Sequence, residues 1–518
     1  MKSTKKIFAT GLAAVLVLAL LAGCAKAPAG TSGGGGNAGQ AGGGRDDVVY
    51  CLTSDVGSLD HIFATDQIAN IVWRQLYDTL IEKDENGEWV GKLAESWELS
   101  PDGRAYTFHL RQDVVCHDGL PMTAEDVAYS LNREIASAAQ GSSMVNMTDA
   151  EVVDEYTVKL NLTAPYAPAL DVLYAWGRIS SARTTDYDTM PIGTGPYKFV
   201  SRSSGDNIIL EAWDQYYLGE AAIKDLTFKI ITDTTTQIAA LQKGEIDFLT
   251  HAPLYAKDTV ASDENLVWQE HAFKGNIWVA FRTDTPPFDN INARKAVQFC
   301  IDKEAMLIGG NEGRGKILKT MWPADITASP EDGFENSYSY DVDKAKEYLE
   351  AYKAETGLGT VSVTILAPET QMYLNPAVTL EGLMSAAGFD VTTNQIDRAT
   401  FWASLQSGTG FQVACAGTSW PVADGDANYM YIHSSGAGGQ NYGPYINADI
   451  DRLLDQARNS SDLEERRSCY KQVQELVDEN AFMVTLYSPN VAVSYTKALK
   501  GVDAENNLYQ HYVYDWSW

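Results

Sequence analysis

The sequence predicts an α/β protein. Strand-like stretches with alternating apolar residues take turns with stretches whose apolar residues recur every three or four positions, which is the pattern of mixed layers of strands and helices. An apolar fraction of 45% and 21% charged residues supply enough material for large cores, so disorder and fibrous repeats are excluded for the bulk of the chain. At 518 residues the chain is too long for one compact domain and reads as two to four.

Taken in order, the first element is a leader. Lys2, Lys5 and Lys6 precede an almost unbroken apolar run, Ile7 to Leu21, that ends in Leu21-Ala22-Gly23-Cys24. The run is short for a spanning helix and suits the core of a signal peptide. Leu-Ala-Gly-Cys resembles the bacterial lipobox. That resemblance implies removal of residues 1–23, a diacylglycerol on the Cys24 thiol, and a body anchored by lipid at the extracytoplasmic face of a bacterial membrane. Cleavage would remove three lysines and no acid, taking the net charge from −30 to −33. Residues 27–44 are Gly-rich with no apolar face and read as a tether, so 24–45 is the lipidated Cys plus linker.

In the body, Ile68, Ile71, Val72, Leu76 and Leu80 mark one helix face, and Tyr106, Phe108 and Leu110 an alternating strand. Thr123 with Asp126 forms a capping-box-like helix start ahead of Val127 and Leu131. Tyr156 to Leu162 alternates again. Ile238 and Leu241 sit on a helix closed by Gly244, with strand signals at Ile246 and Phe248. Asp341 opens a helix carrying Ala345 and Leu349, and Gly388 closes one carrying Leu380, Leu383 and Met384. Helices over 450–458 and 463–479 precede a last strand over 482–487.

The acidic balance, 69 Asp and Glu against 39 Lys and Arg, repels phosphate backbones and disfavours nucleic-acid binding. Catalytic motifs fail one by one. Gly310 to Lys316 fits G-x-x-x-x-G-K, but Ile317 stands where magnesium needs a hydroxyl. Asp424-Gly-Asp426-Ala-Asn428 begins like a calcium loop and then has Tyr429 in place of Gly and Ser435 in place of the bidentate Glu. No His pair has zincin spacing and no G-x-S-x-G occurs. No catalytic residue, metal site or cofactor is therefore expected. After Cys24 the remaining cysteines, Cys51, Cys116, Cys300, Cys415 and Cys469, are odd in number and widely spaced, and read mostly as small buried hydrophobes.

A longer pattern emerges from Leu93-Ala-Glu-Ser-Trp97 through Asp102-Gly103, Tyr106-Thr-Phe108-His-Leu110-Arg111, His117-Asp-Gly119 and Thr123-Ala-Glu-Asp126. Gly57-Ser-Leu-Asp60, Pro191-Ile-Gly193-Thr-Gly195-Pro-Tyr197, Pro286-Pro-Phe288-Asp289 and Gly438-Gly-Gln-Asn441-Tyr442 follow the same order. From about residue 48 to the end, the chain resembles the family 5 extracellular solute-binding proteins of ABC importers, the peptide- and nickel-binding type. Most of these residues have structural readings: Asp102-Gly103 and Asp118-Gly119 as tight turns, Gly193 and Gly195 as permissive backbone.

The resemblance implies a two-lobed, periplasmic-binding-protein-like clam shell of class II, cluster C type, with an extra subdomain in the first lobe. Lobe 1 would span 46–282, including an insert at about 80–189, and lobe 2 would span 283–486. Residues 487–518 would return to lobe 1, with crossovers near Phe281–Asp284 and Leu486–Ser488. The implied function is a monomeric receptor, not an enzyme, that captures a di- or oligopeptide and delivers it to ABC permease subunits. A nickel chelate, oligosaccharide, haem or glutathione-like solute is the alternative on the same scaffold, and a secreted lipoprotein hydrolase the alternative from another class. Thr65, Asp66 and Gln67 align with the cleft edge. Trp402, Trp420, Tyr442 and Tyr487 are the implied cleft aromatics, with Asn441 beside them. Peptide binders of the family carry, shortly after a Trp, an Asp that pairs with the peptide ammonium. Here that position is Ala423, so the expectation falls on Asp424 and Asp426.

Overall fold

The computed structural model describes residues 44–62, 67–84, 86–137, 144–419, 422–503 and 511–518, and the backbone but not the side chains of Gln67 and Ala399. It divides into Met1–Gly44 and a body, Arg45–Trp518. Only Gly44 of the first unit is described, so the leader and Cys24 lie outside the described residues.

The body is α/β, organised on one connected path of strands whose two halves share Met483–Thr496. In the first half, Asp47–Leu52 pairs in parallel with Asp225–Ile230 and Phe248–Leu249. Asn207–Ala212 and Tyr197–Ser203 extend that sheet antiparallel. In the second half, Ser362–Pro368 pairs in parallel with Asp390–Ile396 and Val413–Ser419, and Gly275–Phe281 runs antiparallel to Val413–Ser419. Each half has its own apolar core, one around Tyr50, Trp73, Phe228 and Trp516, the other around Val279, Phe281, Leu380 and Leu486.

The shared strand is the pivot of the architecture. Its first part, Met483 to Pro489, pairs with Gly275–Phe281 and Gly315–Ile317 in the second half. Its second part, Asn490 to Thr496, pairs with Leu266–Ala272 in the first. Sequence patterning stops this strand at Tyr487 because Pro489 has no N–H to give a ladder. The strand runs on because Pro489 needs only its carbonyl there, which accepts the Phe273 N–H at 2.9 Å. The other crossing lies between Ala272 and Gly275, ahead of the 281–284 expected from the sequence.

A third, separate core gathers Leu80, Phe108, Leu131, Leu160 and Leu173 over the antiparallel sheet formed by Ala94–Leu99, Ala105–Leu110, Thr157–Leu162 and Met147–Asp154. Val422, from the second half of the chain, packs into this core. The capping box opens helix Ala124–Ala136: the Thr123 N–H donates to Asp126 Oδ2 at 3.0 Å. Helix Gln67–Leu76 ends before Leu80, which instead joins the third core. The segment after Gly310 runs from helix Lys303–Asn311 into strand Gly315–Ile317, the reverse of the strand-then-helix order a phosphate loop requires.

Candidate functional site

The second half presents a cluster of aromatic rings. Trp402 lies on helix Arg398–Ser407 and meets Tyr373 edge-on, with ring centroids 5.3 Å apart. It reaches Tyr442 at 6.3 Å, and Tyr442 stacks on Trp278 at 5.8 Å and 9°. Tyr431 closes the cluster edge-on to Tyr442 at 6.0 Å. Trp278 and Tyr442 are buried, whereas Tyr373, Trp402 and Tyr431 keep part of their surface open. The cluster lies near the first half: Arg398, on the Trp402 helix, is close enough to His251 to add to the burial that pushes that imidazole down to about 4. Met372, beside Tyr373, packs against the cores of both halves.

Beyond the aromatics, Asp424 and Asp426 come together in a short turn, each held by an arginine. Asp424 caps the 3₁₀ turn Gly425–Asn428 by accepting the Asp426 N–H at 2.8 Å. Arg466 donates to both Asp424 oxygens, Nη1 to Oδ2 at 2.8 Å and Nη2 to Oδ1 at 2.5 Å. Asp424 is 1% exposed and Arg466 2%. Arg458 grips Asp426 in the same fork, at 2.8 and 2.9 Å, and lies over the Tyr429 ring at 3.2 Å. Burial raises the Asp426 carboxyl and Arg458 partly restores it. An ammonium could reach Asp424 only by displacing Arg466, so both carboxylates read as turn anchors in this geometry.

The third core meets this turn. Tyr166 donates to Asp426 Oδ2 at 3.4 Å, the Ala167 N–H donates to the Arg458 carbonyl at 3.2 Å, and Asn146 reaches Asn459 at 3.5 Å. Asp171, on the helix that follows Tyr166, is raised by burial, opposed by Lys83 at 2.8 Å and reinforced by the nearby charge of Asp424.

Of the other expected residues, Asn441 ties a loop by accepting the Tyr445 N–H and donating to the Tyr445 carbonyl, both at 2.9 Å. Although Tyr373 packs against the same core, Tyr487 makes no ring contact with the aromatic cluster among the described residues. It is 1% exposed in the second core, and its hydroxyl lies where a Cβ on Gly310 would be. Gln67 opens helix Gln67–Leu76. Thr65, Asp66 and Trp420 lie outside the described residues. Trp278, Tyr373 and Tyr431 in the aromatic cluster, and Arg458 and Arg466 opposite the acids, went unread. They come from distant segments, and no local spacing links them.

All five described cysteines are free and buried, and among the described residues no group of His, Cys, Asp or Glu is placed to hold a metal ion. No described helix is long and apolar enough to cross a membrane.

Two α/β lobes that exchange strand partners along shared crossings, with an added subdomain on the first, define a two-lobed periplasmic binding protein. The family model for bacterial extracellular solute-binding proteins, family 5 Middle, matches residues 88–440, and the chain belongs to that family, one of receptors rather than enzymes. Heme-binding protein A of Haemophilus influenzae is 27% identical over 474 residues, covering 84% of this chain and 85% of that protein. The dipeptide-binding protein of Escherichia coli is 25% identical over 493 residues, covering 88% and 91%. The solved structure of the periplasmic binding protein DppA from Helicobacter pylori, in complex with peptide STSA, superposes with a TM-score of 0.78 at 25% identity, covering 90% and 97% of the two chains.

Proposed function

We propose that this protein captures a di- or oligopeptide between its lobes, closes on it, and presents the closed form to the membrane subunits of an ABC importer. The lobes in this reading are about 46–272 with 490–518, and 275–489. Their hinge is the pair of crossings at Phe273–Lys274 and Ser488–Asn490. The observation that carries the reading is how the lobes meet. Strong ladders join them at the hinge, whereas the turn at Asp426 and the subdomain at Tyr166 touch through one apolar side chain, Val422, and hydrogen bonds of 3.2–3.5 Å, the weak end of the range. Such a contact separates readily, and a solute that touches both lobes stabilises the closed form by its differential affinity.

The aromatic cluster of Tyr373, Trp402, Tyr431 and Tyr442 would pack apolar side chains of the solute, and the 65–67 edge would pair with an extended backbone. Peptide is favoured because the dipeptide-binding protein and the tetrapeptide-bound structure align over nearly the whole chain. Haem is the second reading, favoured by the heme-binding relative. Cys24 would carry the lipid that keeps the receptor at the extracytoplasmic face. Native mass spectrometry of protein purified from its own host tests the solute. A ladder of peptide masses is expected; a single haem or metal-chelate mass would overturn the peptide reading.

A further inference from the structure

The aromatic cluster of the second lobe has a cation beside it. Arg398 opens helix Arg398–Ser407 and precedes Trp402 by one turn, so the two side chains share a helix face. Trp402 meets Tyr373 edge-on at 5.3 Å, and Arg398 is near enough to Tyr373 to oppose the burial that pushes its hydroxyl up to about 12. Asp397, the residue before it, is committed to capping the helix and accepts the Thr400 N–H at 2.9 Å. Arg398 is exposed, and among the described residues no carboxylate pairs with its guanidinium. A cation in the first turn opposes the helix dipole, so Arg398 weakens the helix that it opens. Its place is explained by something outside the helix.

His251, from the first lobe, lies close to it. His251 follows strand Phe248–Leu249, and Phe248 belongs to the first-lobe core against which Met372, the neighbour of Tyr373, packs. Its backbone takes a φ of 51°, a left-handed conformation that is uncommon outside glycine and that clusters at ligand clamps. Its Nδ1 lies 3.3 Å from the Thr250 hydroxyl. Burial, with His271 and Arg398 adding to it, brings the imidazole down to about 4. Near neutral pH the first lobe is therefore uncharged at His251, and the positive charge facing it belongs to Arg398.

We propose that Arg398 binds a carboxylate of the captured solute, beside the Tyr373 and Trp402 rings and against the first lobe at His251. This rests on the capture of a solute between the lobes. The planar guanidinium fork matches two carboxylate oxygens, which an ammonium or an amide does not. A peptide offers its C-terminal carboxylate and haem its propionates, so both readings of the solute supply this chemistry. A carboxylate held there touches both lobes and favours the closed form.

The test uses the whole protein, stripped of solute, with paired probes. One pair is a library of short peptides lacking Asp and Glu, offered as free acids and as C-terminal amides; the other is haemin and its dimethyl ester. Native mass spectrometry reads what is retained. Whichever class is retained, the free acid should exceed the amide or ester by about ten- to a hundredfold. Arg398→Gln should bring the two forms to equal retention. Arg398→Lys, which keeps the charge and loses the fork, should restore part of the difference. Neither change should lower the unfolding temperature, because the side chain is exposed. Equal retention of both forms by the unaltered protein overturns the proposal and leaves solute capture standing. So does a preference for the acid that survives Arg398→Gln. Retention of neither class overturns the peptide and haem readings together with this one, so the two failures are told apart.

Discussion

The imidazole of His117 donates from Nε2 to the carbonyl of Gly195 at 2.9 Å while its Nδ1 accepts the Gly193 N–H at 3.2 Å. The ring is therefore held neutral in one tautomer, and a proton on Nδ1 would face an N–H. Burial, ahead of the opposing bond to Gly195, brings its pKa down to about 4. A base with a folded pKa below its unfolded value of about 6.5 stabilises the fold above that value. The contribution is lost as pH falls from 6.5 toward 4. His251, at about 4, and His511, at about 3, act in the same sense.

Stability should accordingly fall between pH 6.5 and 4, each such histidine adding a slope of up to about 1.4 kcal/mol per pH unit. His117→Gln, which preserves a donor and an acceptor, should reduce proton uptake on unfolding at pH 5 by about one. Glu134 and Asp426, raised by burial, titrate in the opposite sense but are common to both proteins and cancel in the comparison. Urea unfolding across pH measures this. An unchanged pH slope in the variant would contradict the His117 assignment.

Asp424→Asn should destabilise the second lobe by about 3–5 kcal/mol, because it leaves Arg466 buried without its counter-ion. Affinity for peptides with free and with acetylated N-termini should then weaken equally. A stable variant that lost only free-amine peptides, by the ten- to hundredfold that an ammonium contact implies, would make Asp424 the amine-binding residue after all.

How far the sequence carried the account differs by element. Capped helices were readable because their signals are local: Asp341 accepts the Lys344 N–H and Gly388 ends its helix at a φ of 103°. Gly193 and Gly195 were legible as special, though for another reason than conformational freedom. A Cβ at Gly193 would lie 1.9 Å from the Leu76 carbonyl oxygen, so close approach demands glycine. Asp424 and Asp426 stood out as acids after a Trp, but their roles are set by arginines more than thirty residues away in sequence.

Trp402→Ala should weaken solute binding by about ten- to a hundredfold while costing little stability, since the ring is half open. Trp278→Ala, at 0% exposure, should cost about 3–5 kcal/mol of stability. Calorimetry with solute and thermal unfolding on both variants separate the roles. Equal stability losses would place Trp402 in the core.

On the proposed anchor, in which two acyl chains at about 0.8 kcal/mol per buried CH₂ would hold the body at the membrane, Cys24→Ser should leave the body folded and either release it from membranes or block maturation of the leader. Fractionation of cells expressing each form reads this out, and a leader-free variant still sedimenting with membranes would contradict the anchor.

The central claim, that the lobes close on a peptide, is tested most directly by small-angle scattering of solute-free protein titrated with a defined peptide found on the native protein. A saturable fall in the radius of gyration at one peptide per chain, with the peptide recovered intact, is the predicted result. An unchanged radius at saturation, or cleavage of the peptide, would contradict it.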